Sequence, residues 1–300
     1  MTKTELIIAI ICFNAVVIFP LSAQQSLSDS ARGEEMLRYV KGIEGKKGME
    51  RNSYVVRQLD TMGALPVEAK FDTVIGRKAF QGKNVLVKFG KGKQKIVIGA
   101  HVDAVFAAPG ANDNGSGVAV LLEIARTLQS LYLHHTVECC FFDQEEPGLV
   151  GSSVYVRTRD TSYVHLAMIN LDVEGTGEEI YAGPVPSGSD TLLIHACHIV
   201  RDDLHCRYYE DANYPESDYE SFADAGLRSI SISVVPLGDG KKLAKWVIEA
   251  YGSQENPADY PQVLRVMHTK DDRSEYVTAD ALDLSYRFAM GVLKILDDSH

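Results

Sequence analysis

Apolar and polar positions along this chain repeat in two periods, and the switches between them mark its elements. Stretches near 33–45 and 49–62 carry apolar residues at helical spacing, and Gly63 closes the second. NVLVKF (84–89) and KIVIGAH (95–101) are short apolar runs that predict strands, separated by the turn residues GKGKQ. Gly115 to Leu128 returns to helical spacing. TVECCFF (136–142) is apolar enough for a buried strand, and 151–159 suits a short helix. HLAMINLD (165–172) and SISISVV (229–235) read as strands, TLLIHACHIV (191–200) as a helix, and 279–296 as a long amphipathic helix. Strands alternating with helices predict an α/β fold in which a mostly parallel sheet is covered on both faces. Functional groups in such folds collect beyond the carboxyl ends of the strands.

The first 23 residues stand apart. Lys3 supplies a positive start, Leu6 to Leu21 is a mostly apolar run, and Ser22-Ala23 gives a small-residue exit. This is the pattern of a secretory signal peptide cleaved after Ala23. The run is shorter than the ~20 residues a spanning helix needs, and Pro20 breaks its end. The expectation is a secreted or periplasmic protein with no stable membrane span after cleavage.

Composition narrows the function classes. With 300 residues, 45% of them hydrophobic and 24% charged, the chain has the makings of a buried core rather than of a disordered or fibrous protein. A net charge of -11 argues against nucleic acid as a partner, because phosphate binding needs clustered Lys and Arg. Cys12 leaves with the leader. Cys139 and Cys140 are neighbours on a predicted strand and point to opposite faces, so they do not bond to each other. Cys197 and Cys206 flank HIVRDDLH and read as a disulfide or two free thiols; the spacing is not that of a zinc finger.

The candidate chemistry lies at strand ends. His101 ends KIVIGAH and Asp103 lies just beyond it. Asp113 sits in the loop GANDNGSG before a helix, Glu145 and Glu146 follow the strand ECCFFDQ, Asp172 ends MINLD, and His268 sits in MHTKDD. The residue types fit a two-metal hydrolase. Zinc takes imidazole nitrogen and carboxylate oxygen, and a pair of metals is well served by one bridging carboxylate with terminal ligands on each side. Asp113, Glu146 and Asp172 with neutral His101 and His268 bring three negative charges against four from two zinc ions, and the residual positive charge favours a bound hydroxide. Asp103, two residues from His101, is placed to accept its other ring N–H. Glu145 is then free to be the general base. HExxH, GxSxG and the phosphate loop GxxxxGK[ST] are all absent.

GAHVDAVFAAPGANDNGSGVAVLLEIA, FFDQEEPGLVGSSVYV, INLDVEG, SDYESFADAG and MHTKDD, in this order, resemble the M28 family of zinc aminopeptidases over roughly residues 80 to 290. The compact step from His101 to Asp113 is similar to that of the secreted members, with no protease-associated domain inserted. The resemblance implies a mixed, mostly parallel eight-stranded sheet between helices. The helical spacing ahead of it marks 24–62 as an N-terminal helical segment expected to pack on a catalytic domain at 63–300. It implies two zinc ions per chain. Asp113 would bridge them, His101 and Asp172 would complete one, and Glu146 and His268 the other. Glu145 would be the general base and Asp103 the partner of His101. The substrates would be peptides with a free N-terminus.

Some positions depart from the family pattern. Tyr219 stands where many members have His after Ser217-Asp218, and Met267 stands where some have an aromatic residue before the last ligand. Asn114-Gly115-Ser116 is formally a glycosylation sequon, but a glycan there would obstruct the site, so it is read as unused. The related glutaminyl cyclases share the fold and several motifs, and offer an alternative activity with a single zinc and pyroglutamate formation. An inactive binding module fits less well, because every ligand position carries a residue able to ligate. A carboxypeptidase would need a cation for the substrate carboxylate, for which Arg228 and Arg265 are the candidates.

Overall fold

The computed structural model describes residues 29–186, 191–249 and 259–299; the signal peptide expected at 1–23 lies outside the described residues. One sheet runs in the order β1-β2-β4-β3-β5-β8-β6-β7. Its strands are β1 (Val67–Ile75), β2 (Lys78–Phe89), β3 (Gln94–His101), β4 (Thr136–Phe142), β5 (Val164–Leu171), β6 (Glu179–Gly183), β7 (Arg207–Glu210) and β8 (Ser229–Val235). The central strands β4, β3, β5 and β8 are parallel. β2 and β1 extend one side antiparallel, while β6 joins β8 antiparallel and β7 parallel on the other. The expected mixed, mostly parallel eight-stranded α/β sheet is therefore present.

Burial explains which strands the sequence announces. Every residue of β4 is buried, and β3 is buried from Lys95 to His101. Strands covered on both faces must be apolar almost throughout. β1 has no buried residue. It carries no such run, so it was not predicted, and neither were the short β6 and β7.

Helices cover both faces. α1 (Asp29–Ile43), α2 (Met49–Thr61), α3 (Gly115–Leu128), α5 (Leu192–Leu204) and α8 (Ala279–Asp297) share one apolar core with the sheet. α4 (Val150–Thr158), α6 (Tyr219–Asp224) and α7 (Asp239–Ile248) close the other face around Phe142, Tyr155, Phe222 and Leu243. The first helix begins at Asp29, earlier than the apolar pattern from 33 suggested, because its opening turn is polar and exposed.

Cys139 belongs to the first core and Cys140 to the second, as alternation along a strand requires. Cys197 and Cys206 are free thiols. Cys197 lies buried within α5, and Cys206 follows the left-handed His205 that ends it, its N–H bonded back to the Arg201 carbonyl. Among the described residues no helix is long and apolar enough to cross a membrane.

Candidate metal centre

Three parallel neighbours set the site. β4, β3 and β5 lie side by side, so the chain leaving each emerges at one edge of the sheet. β3 delivers His101 and Asp103, β4 delivers Glu145 and Glu146, and β5 delivers Asp172. Asp113 comes from the loop before α3. The cap of that helix fixes the loop's end, since Asn114 Oδ1 accepts the Gly117 N–H at 3.0 Å. His268 arrives from a turn beyond the 3-10 segment Val263–Arg265. Gln144, Val173 and His268 all have φ near +60° (61°, 63° and 61°). That conformation is unfavourable for side chains and most so for a β-branched Val. It concentrates here at the residues that aim the site.

All the predicted site residues meet. His101 Nε2 lies 3.2 Å from Asp113 Oδ1 and 3.4 Å from Asp172 Oδ1. His268 Nε2 lies 2.9 Å from Asp113 Oδ2 and 3.0 Å from Glu146 Oε2. The two oxygens of Asp113 thus face two separate groups. Each group, His101-Asp113-Asp172 and Asp113-Glu146-His268, brings its candidate donor atoms within 4.8 Å of one another. A tetrahedral ion with bonds of about 2.0 Å holds its donors ~3.3 Å apart, and these separations lie close to that. Asp172 Oδ1 is buried without a hydrogen-bond partner, which is costly unless something else satisfies it. The donor set therefore fits two divalent ions such as zinc.

Asp103 sits beside His101, its Oδ1 3.6 Å from Nδ1. Its two oxygens also accept the backbone N–H groups of Glu145 (2.9 Å) and Glu146 (3.2 Å). One carboxylate thereby fixes two adjacent residues of the centre.

Several supporting residues escaped the sequence reading. Asp272 accepts the N–H of Asn112 (2.7 Å) and of Asp113 (3.2 Å). Ser217 Oγ donates to Asp172 Oδ2 at 2.7 Å, and Glu174 Oε1 accepts the Asp172 N–H at 2.9 Å. Asp218 is fully buried beside the cluster. Arg51 on α2 is also fully buried, and its guanidinium donates to the backbone carbonyls of Val102, Pro109 and Gly110. It falls on the stripe of Val55 and Leu59, so a cation at a helix's inward position was the available signal.

Electrostatics follow from so many carboxyls in little water. Burial alone would lower the pKa of His101, but Glu145, Asp172, Asp103 and Asp113 surround it and raise it well above the ordinary value. Hydrogen bonds to Asp113 and Glu146 push His268 up to about 10. Burial raises Asp113, yet the two histidines outweigh it and hold that carboxyl low. Burial, helped by Asp218, Asp172 and Asp103, raises Glu145 well above the carboxylate range, and burial pushes Asp218 up to about 7.

A cavity of about 270 Å³ opens beside the cluster, with carboxylates on one wall and Tyr181, Tyr214, Val235, Leu243, Trp246 and Met267 on another. The tyrosine hydroxyls turn to the protein: Tyr181 donates to the Asn213 carbonyl and Tyr214 pairs with Ser233 Oγ. Tyr219 lies behind Tyr214 and donates to its carbonyl at 3.3 Å. It does not line the cavity, whereas Met267 does. Arg228 and Arg265 do not line it either; Arg228 donates to the Leu166 carbonyl. Asn114 is fully buried with its amide donating to the Leu171 carbonyl, so the sequon offers no glycan site.

The model for Peptidase family M28 matches residues 84–293. A probable leucine aminopeptidase of Arthroderma otae is 31% identical over 209 residues, covering 65% of this chain and 50% of that protein. Two solved structures share the fold. One is BSAP, a zinc aminopeptidase from Bacillus subtilis (24% identity, TM-score 0.57, covering 72% of this chain and 51% of that one). The other is a glutaminyl cyclase from Porphyromonas gingivalis (21% identity, TM-score 0.67, covering 90% and 98%). The chain spans about half the length, or less, of the curated relatives it matches.

Proposed function

The chain belongs to peptidase family M28, and from that premise we propose that it is a secreted aminopeptidase that binds two zinc ions and removes the N-terminal residue of peptides. Asp113 carries the reading: one carboxylate turns one oxygen to His101 and the other to His268, as a ligand shared between two metals must. His101 and Asp172 would complete one zinc, Glu146 and His268 the other. Bound zinc would polarise the scissile carbonyl and acidify the attacking water.

The chain's own groups do the rest. Glu145 shares the cavity with the donors; with the positive charge of bound zinc holding it ionised, it would accept a proton from the water and pass it to the leaving amine. Asp103 orients that base through the backbone it holds. The carboxylate wall attracts the substrate's cationic α-amine, and the apolar wall takes the first side chain. The segment 24–62, with α1 and α2 as its described part, would serve the catalytic domain at 63–300. Export rests on the leader pattern of residues 1–23.

The test measures zinc per chain together with turnover. Mature protein is assayed on amino-acid p-nitroanilides and on a Gln-Xaa peptide, with and without chelator. Two zinc ions and chelator-sensitive release of amino acid support the reading. One zinc with ammonia release from Gln-Xaa, and no anilide hydrolysis, moves the protein to the cyclases. No metal and no turnover after zinc loading leave only a binding role. Glu145→Gln is expected to retain zinc and lose ~10²–10⁴-fold in kcat.

A further inference from the structure

The loop 102–110 joins the strand-end residues His101 and Asp103 to Asp113, and its carbonyls are gathered by a segment outside the family-matched residues 84–293. Arg51 Nε donates to the Val102 carbonyl, where the loop begins. Its Nη1 and Nη2 reach the Gly110 carbonyl, where the loop ends, at 3.2 and 3.1 Å, and Nη1 lies 3.5 Å from the Pro109 carbonyl. Lys47 Nζ holds the middle, donating to the Val105 carbonyl at 3.1 Å and to that of Ala108. The Gly45 N–H adds a bond to the Pro109 carbonyl at 2.8 Å. The loop in turn touches the centre, since the Val105 N–H donates to Glu146 Oε1 at 3.0 Å.

We propose that Arg51, assisted by Lys47, is a positioning residue of the metal centre: its planar fork staples the two ends of the loop and so sets the separation of His101 from Asp113. The inference rests on reading the site as a metal centre. Two observations favour it over a plain packing role. The guanidinium is wholly buried with carbonyl acceptors alone, and an ion so placed is expensive unless a negative potential surrounds it. Asp103, Asp113, Asp272 and Glu146 supply that potential. The charge and the fork are thus tied to the carboxylate cluster, and an apolar side chain of equal size would fill the space without doing either job.

The experiment compares wild type, Arg51→Met, Arg51→Lys and Lys47→Met. Zinc affinity is read by competition with a chromophoric chelator, kcat and KM are measured at saturating zinc, and thermal unfolding is followed in the metal-free state. Arg51→Met is expected to bind zinc ~10–100-fold more weakly and to lose ~100-fold in kcat from misplacement, with KM changed far less. Arg51→Lys should recover part of both losses. Lys47→Met should lose several-fold in zinc affinity and serves if Arg51→Met does not fold. A lower melting temperature with wild-type zinc affinity and kcat would overturn the inference, as would wild-type behaviour of Lys47→Met when Arg51→Met cannot be folded. Failure of the wild type to bind zinc is a separate result, which removes the proposed function itself.

Discussion

His101 and His268 both aim Nε2 at Asp113, yet the first side chain is 2% exposed and the second 50%. The halves they belong to are built differently. His101 and Asp172 close adjacent parallel strands, and Ser217 and Glu174 brace Asp172 from behind. His268 stands in a turn with left-handed backbone, and its partner Glu146 is held by the backbone of a loop and by Asp103. The first half inherits its geometry from the sheet, so it cannot relax without disturbing the core. The second is assembled from loops, so losing a ligand there opens no hole in the core. If two ions bind as proposed, the difference predicts one deeply held and one exchangeable.

The strongest break is at the shared carboxylate. Asp113→Ala removes the residue that, among the described residues, both donor groups share, and if two zinc ions bind as proposed, zinc is expected to fall to none. Activity should drop by at least ~10³-fold, the scale of losing preorganised electrostatic stabilisation. Retention of one tightly held zinc in this variant would show that the halves do not depend on a common ligand.

Alanine at each histidine separates the halves. His101→Ala should lose the buried ion and, by opening a hole beside the core, cost ~2–4 kcal/mol. That is a melting point lower by several degrees for a chain of this size. His268→Ala should lose the exposed ion and, in the metal-free chain, its half-exposed ion pairs with Asp113 and Glu146, a smaller fall in melting point than a hole beside the core causes. Scanning calorimetry of the metal-free variants decides the matter, and equal losses would erase the distinction between sheet-built and loop-built ligands.

Titration sharpens it further. In the metal-free chain His268 is raised from its ordinary value near 6.5 to about 10 by Asp113 and Glu146. A folded-state pKa above the unfolded one means that its contribution is fully present below pH 6.5 and is lost as pH rises through about 10. Metal-free protein should therefore lose stability across that window, and His268→Gln should flatten the trend. Zinc needs the imidazole neutral, so zinc affinity should climb with pH over the same range, by up to ~10-fold per unit for each proton displaced. Melting curves against pH, with and without zinc, test both signs.

The same contrast decides what could be read from the sequence. β3, β4, β5 and β8 were legible because burial on both faces leaves an apolar run. The site residues were legible because each ends such a run or lies in a motif with few other uses. Asp272, Ser217 and Arg51 were not, although they hold the centre in place. They act on backbone groups or on a partner far along the chain: Asp272 reaches Asn112 across 160 residues and Ser217 reaches Asp172 across 45. A backbone N–H has no residue type to signal it. The cavity's apolar wall was hidden for a related reason, since Tyr181, Tyr214 and Trp246 come from β6, a loop and α7, which no single period links.

Ser217 offers the finest probe of the two halves. Its hydroxyl donates to Asp172 Oδ2 and accepts from Asn170 Nδ2 at 2.8 Å, so it orients the carboxylate of the buried half alone. Ser217→Ala keeps the fold, with a loss on the order of 1 kcal/mol for one buried hydrogen bond. It should weaken one zinc by ~10-fold, the lower range for a ligand's hydrogen-bonding partner, and leave the other untouched. A two-site zinc titration separates these constants. If both constants fall together, Asp113 transmits the disturbance across its own carboxylate, and the halves are coupled through the one residue they share.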